Sequence, residues 1–223
     1  MRKVTLTFDN GPEPGVTERV LETLSARGIR TTFFVVGEKI EKPEGRALAT
    51  MAHAHGHWIG NHTYSHSRAF GLCADVDTPR LEIERTQRLI GELAHPRRFF
   101  RPAANGGRLD RNLLSRAAVD FLTAGAYTCV LWNSVPGDWM EPAKWAERAL
   151  ADCRAQDWSV VVLHDLPTGA MDHLDGFIER LIGEGFEFTQ DFPPSCLPII
   201  EGRPAMALDP YVADQLASDP SAA

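Results

Sequence analysis

His62 and His66, in the run Gly60-Asn61-His62-Thr63-Tyr64-Ser65-His66, have the spacing at which two imidazoles fall on one face of a helical turn and share a metal ion. In a chain with 8 histidines the same spacing also arises by chance. Asp9 ends the apolar run Val4-Thr5-Leu6-Thr7-Phe8 and stands just before Gly11-Pro12. That arrangement sets a carboxylate on a tight turn at the mouth of a sheet. There it is either a general base for activating water or an Asx residue that stabilises its own turn. His164 and Asp165 follow Val160-Val161-Val162-Leu163 in the same way, and Arg101 and Asn133 close two further apolar runs. Taken alone, His164 is either a reacting imidazole or a core histidine satisfied by the backbone.

These polar residues share a location, because each ends a β-branched or aromatic run. The runs predict strands at Val4 to Phe8, Thr31 to Val36, Trp58 to Asn61, Phe99 to Pro102, Tyr127 to Trp132, Val160 to His164 and Phe186 to Thr189. Between them, helical periodicity predicts helices near Gly15 to Ala26, Ala47 to Ala54, Thr78 to Leu93, Asp110 to Leu122, Ala143 to Ala155 and Leu174 to Ile182. Gly28, Gly56, Gly125 and Gly185 stand where these helices stop. Alternating strands and helices specify an α/β domain around a parallel sheet, either a distorted barrel or an open doubly wound sheet. In both, sites form where strands end and the following loops begin. After Gln190 the chain turns proline-rich, so residues 1–190 are expected to form the domain and residues 191–223 a tail wrapped on it with a frayed end.

A chain of 223 residues, 43% hydrophobic and 24% charged, suits one globular domain with a large core. A formal net charge of −7 argues against nucleic acid or an anionic membrane as partner, since clustered cations hold such surfaces. No apolar run approaches the length of a membrane span. The segment MRKVTLTFDN is too short in its apolar part for a signal peptide. Cys73, Cys129, Cys153 and Cys196 form no Cys-x-x-Cys pair, so buried thiols in a cytosolic protein are expected. The alternating His53, His55 and His57 invite a second metal, but a turn and strand start explain them better. Trp132, Trp145 and Trp158 are expected in the core, Trp139 in a pocket, and Asp172, His173 and Asp175 at a helix start.

Five segments in order, Thr7-Phe8-Asp9-Asn10-Gly11-Pro12, His62-Thr63-Tyr64-Ser65-His66, Arg101-Pro102-Ala103-Ala104, Val135-Pro136-Gly137-Asp138-Trp139 and Leu163-His164-Asp165-Leu166-Pro167, resemble those of the polysaccharide deacetylases, carbohydrate esterase family 4. The resemblance covers Val4 to Thr189 and implies a distorted (β/α)7 barrel, with removal of an acyl group from an amide nitrogen of a small N-acylated sugar or oligosaccharide. It further implies that Asp9 is the general base, that Arg101 pairs with it, and that His62 and His66 hold a divalent metal, zinc, with Thr63 bracing their loop. Asp138 would orient His164, the general acid. Trp139 and Leu163 would wall the pocket, and a backbone N–H near Ala104 would bind the oxyanion. Three positions depart from the pattern. Asn10 stands where an aspartate completes the metal set, Val135 where another aspartate supports the arginine, and Ala103-Ala104 where Pro-Tyr is usual. A neutral amide is a weaker ligand than a carboxylate, which leaves two other readings: a metal-independent amidohydrolase using the same Asp9 and His164, or a carbohydrate-binding barrel without turnover.

Overall fold

The computed structural model describes residues 2–213. Its longest strands, β1 (Lys3–Asp9) and β6 (Trp158–His164), lie parallel in register from Lys3 against Trp158 to Asp9 against His164. From β1 the parallel sheet continues through β2 (Thr32–Val35), β3 (Trp58–Asn61), β4 (Phe99–Phe100) and β5 (Thr128–Cys129). Beyond β5 the chain bends round to the free edge of β6. The Ser134 N–H donates to the Val160 carbonyl at 3.2 Å, and the Ser134 carbonyl accepts from Val162 N at 3.0 Å. That narrow contact closes the ring, so the architecture is the expected barrel in distorted form.

Its irregularity lies on the side of the last strands. β7 (Glu187–Phe188) reaches only Lys3 and Val4 of β1. β8 (Ile199–Ile200) joins β5 antiparallel at Cys129 and forms a hairpin with β9 (Arg203–Pro204). Residues from the expected tail thus add an antiparallel edge to the sheet, with Phe192, Leu197 and Ile199 in the core. Its expected frayed end, residues 214–223, lies outside the described residues.

Alternation along the strands separates two buried layers. Val4, Leu6 and Phe8 of β1, with Val161 and Leu163 of β6, face the helices α1 (Thr17–Ala26), α2 (Gly37–Ile40), α3 (Pro43–Ala54), α6 and α7. Between α3 and α6 come α4 (Thr78–Ile90) and α5 (Arg116–Ala124); α6 spans Trp145–Arg154 and α7 Leu174–Gly183. Val160 and Val162 belong to the other layer, with Phe34, Phe100 and Leu131.

Helix ends differ from the periodicity where local chemistry overrides it. α3 starts earlier than expected because Pro43 at its first position suits a helix start. α5 starts later. Asp110 is spent on a turn, its carboxylate accepting the Asn112 N–H at 2.8 Å, and Ser115 caps the helix by accepting from Ala118 N at 3.2 Å. Among the described residues no helix is long and apolar enough to cross a membrane.

Candidate active site

Because Asp9 and His164 are register partners at the ends of adjacent strands, the sheet itself sets the two side chains beside each other. Arg101, at the end of β4, is fully buried. Its Nη1 donates to Asp9 Oδ1 at 2.9 Å and to Thr7 Oγ1 at 2.6 Å, while Nε donates to the Val130 carbonyl at 3.3 Å. The guanidinium also stacks on Phe34, 4.1 Å from the ring centre. These contacts leave Asp9 one orientation, with Oδ2 3.6 Å from His62 Nε2.

Asp138 holds His164 twice. Its Oδ1 accepts from Nδ1 at 2.8 Å, and Oδ2 accepts the His164 backbone N–H at 2.8 Å. Nδ1 therefore carries a proton, and Nε2 is the nitrogen left for a reacting group. Burial alone would lower this imidazole's pKa, but the hydrogen bond and charge of Asp138, aided by Asp9 and Asp165, raise it above 6.5. The Trp139 ring meets His164 edge-on at 4.8 Å between centres.

His62 and His66 come together without a helical turn. The segment after β3 is a loop in which Thr63 (φ 65°) and His66 (φ 51°) are both left-handed, and it brings the two rings to 4.7 Å between centres. Nδ1–H of His62 donates to the Arg101 carbonyl at 2.8 Å, which frees Nε2 as a ligand. Burial, assisted at His66 by His62, holds both imidazoles down to about 3, so both are neutral. Next to them Asn10, itself at φ 67°, has its Oδ1 buried with no hydrogen-bond partner among the described residues. Two neutral imidazoles and an orphaned carbonyl oxygen fit a divalent cation. Among the described residues no group of three or more His, Cys, Asp or Glu is placed to share an ion, so the set depends on the Asn10 amide.

These groups open on one cavity of about 240 Å³, whose wall includes Ala104, Trp132, Val135, Trp139, Val162 and Leu166. Leu163, expected to line it, instead packs toward the helices, because it is one residue out of phase with His164 on β6. Val162, two before His164, takes that place, a position that period-two alternation could have found. Trp132 is buried in the core as expected, and it also lines the cavity and donates from Nε1 to the Gly107 carbonyl at 3.0 Å. Val135 packs against that same loop, where a Cβ on Gly107 would come within 2.6 Å of it. Outside the cavity, His57 is a core residue, accepting the Thr31 N–H at 3.1 Å, and burial lowers its pKa to about 4.

A family model described as "Polysaccharide deacetylase" matches residues 1–120. A peptidoglycan-N-acetylglucosamine deacetylase of Bacillus cereus is 30% identical over 84% of this chain, which spans 66% of that relative's length. A chitooligosaccharide deacetylase of Rhizobium leguminosarum bv. trifolii is 30% identical over 74% of this chain and 72% of its own. The solved structure of a family 4 acetyl xylan esterase from Clostridium thermocellum, in complex with a cobalt ion, superposes with a TM-score of 0.68 at 30% identity, covering 85% of this chain and 88% of the other.

Proposed function

Since this chain belongs to the polysaccharide deacetylase family, we propose that it is a hydrolase of carbon–nitrogen bonds other than peptide bonds, removing an acetyl or similar small acyl group from an amide nitrogen of a sugar. The observation that carries the reading is the pairing of two oriented groups on one cavity: Asp9 held by Arg101, and His164 held by Asp138. Hydrolysis of an amide needs a base to take a proton from water and an acid to give one to the departing nitrogen. Asp9 serves as the base, its free oxygen turned to the cavity. His164, protonated through its bond to Asp138, gives the Nε2 proton to the amine as the carbon–nitrogen bond breaks. Water supplies the new oxygen, and the products are a carboxylic acid and a free amine. His62, His66 and Asn10 would hold a divalent cation such as zinc, which when bound supplies Lewis-acid polarisation of the acyl carbonyl. Asn10 in place of a carboxylate marks a variant subgroup of the family. The thiols of Cys73, Cys129, Cys153 and Cys196 are free, as expected of a chain in a reducing compartment.

The test is a hydrolysis assay over N-acetylated hexosamines and their oligomers, with and without chelation. Asp9→Asn and His164→Ala are each expected to lower kcat by about 10²- to 10⁴-fold. Turnover unchanged in both variants would sink the mechanism. Full turnover after thorough chelation would remove the cation and leave the Asp9 and His164 roles standing.

A further inference from the structure

The loop that carries His62 and His66 is held by a residue from outside the five motifs. Two non-glycine residues in the left-handed region persist only where surrounding contacts over-determine them; α2 holds the loop's carbonyls, with the Gly37 and Glu38 N–H groups donating to Thr63 and Tyr64 at 3.0 Å each, and α4 holds its amides. Oε2 of Glu82 accepts the backbone N–H groups of Tyr64 at 2.9 Å and Ser65 at 2.8 Å, and Oε1 accepts the Ser65 hydroxyl at 3.0 Å. One carboxylate thus fixes the two residues immediately before His66. The same helix holds the strand end that leads into the loop. Asn61 Nδ2 donates to the Ile83 carbonyl at 2.8 Å and to Gln87 Oε1 at 3.3 Å, while Asn61 Oδ1 accepts the Thr63 N–H at 3.0 Å. Inside the loop, Thr63 Oγ1 accepts the His66 N–H at 3.1 Å. Glu82 is therefore the point through which α4 sets the position of His66 relative to His62.

We propose that Glu82 is a positioning residue for the two-histidine loop, acting through the Tyr64 and Ser65 amides to hold His66 in ligand geometry. The inference rests on the reading of His62, His66 and Asn10 as a cation site. Groups that orient a metal's ligands commonly change its affinity by about 10- to 100-fold when removed. In Glu82→Ala the two amides turn to water and His66 is released, so cation binding weakens while the distant barrel core is untouched.

The experiment titrates the full-length, metal-stripped chain with cobalt(II), following affinity and the visible absorption of the bound ion. Wild type, Glu82→Ala, Glu82→Gln and Glu84→Ala are compared. Glu84 lies on the same helix but, among the described residues, pairs with Arg80 and Arg88, so its variant should bind as wild type does. Glu82→Ala is expected to bind roughly tenfold or more weakly and to give an altered absorption spectrum. Glu82→Gln keeps an oxygen for the two amides and should recover most of the affinity and the spectrum. Equal affinity and spectrum in wild type and folded Glu82→Ala would overturn the role of Glu82. Equal losses in Glu82→Ala and Glu84→Ala would overturn it too, assigning the effect to helix stability. A wild-type chain that takes up no cobalt would instead remove the cation site on which the inference stands.

Discussion

In the proposed reaction Asp138 and Asn10 would serve different halves of the chemistry, and substitution at each has its own expected signature. Asp138 raises the His164 pKa against the lowering effect of burial. A raised pKa keeps the imidazole protonated to higher pH, so in the proposed reaction the alkaline limb of kcat/KM is expected above the ordinary histidine value of 6.5. In Asp138→Asn that limb should move to lower pH, accompanied by a fall in kcat, as a pH–rate profile will read. In the proposed cation site Asn10 would contribute a neutral oxygen, one that has no hydrogen-bond partner among the described residues. Replacing it by aspartate adds a negative ligand, and Asn10→Asp should tighten cobalt or zinc binding by roughly tenfold or more in a direct titration. Unchanged affinity would mean that the side chain does not reach the ion.

At the scale of elements, a buried contact joins the loop after β6 to the start of α1. Thr17 Oγ1 donates to Asp165 Oδ2 at 2.5 Å and itself accepts the Glu13 N–H at 2.7 Å, while Asp165 Oδ1 has no hydrogen-bond partner among the described residues. Burial raises the Asp165 carboxyl from 3.8 to about 7, with the Thr17 bond opposing it. Between those values the folded chain holds a proton that the unfolded chain has lost. The resulting stability is fully present below about pH 4 and is lost as pH rises through about 7. Urea denaturation across that window should show the decline in wild type and a flatter curve in Asp165→Asn. Gly11 makes room for this carboxyl, since a Cβ there would stand 2.1 Å from Asp165 Oδ1. Gly11→Ala should accordingly destabilise the fold by about 1–3 kcal/mol, measured by the same method.

For the whole molecule, the ring depends on residues beyond its parallel strands. Ile199 is fully buried in the antiparallel β8 and pairs with Cys129 of β5, at the point where the chain leaves the sheet to close against β6. Truncation of a core isoleucine costs about 2–5 kcal/mol. Ile199→Ala should fall in that range by chemical denaturation, whereas a tail that merely lay on the barrel would tolerate the change. Cys129 beside it is buried enough for its thiol to be pushed up to about 12, so this seam carries a neutral sulfur.

Much of this was legible in the chain alone. The apolar runs ending in Asp9, Asn61, Arg101 and His164 specify strands whose ends converge, because burial in a parallel sheet demands continuous apolar residues and returns the polar ones to the mouth. Local chemistry also determined the helix stops at glycine. What depends on distant parts of the chain was decided only in three dimensions. The contact of His62 with His66 arises from a left-handed loop clamped by α4, since a spacing of four does not reveal which backbone conformation carries it. Leu163 and Val162 exchanged roles because one residue of register reverses the face a strand side chain occupies. β8 and β9 lie in the proline-rich stretch that reads as a tail, and they form where β5 offers an edge for antiparallel pairing. The residue types needed for hydrolysis are local and written in order, but their mutual orientation is a property of hydrogen bonds between segments far apart in sequence.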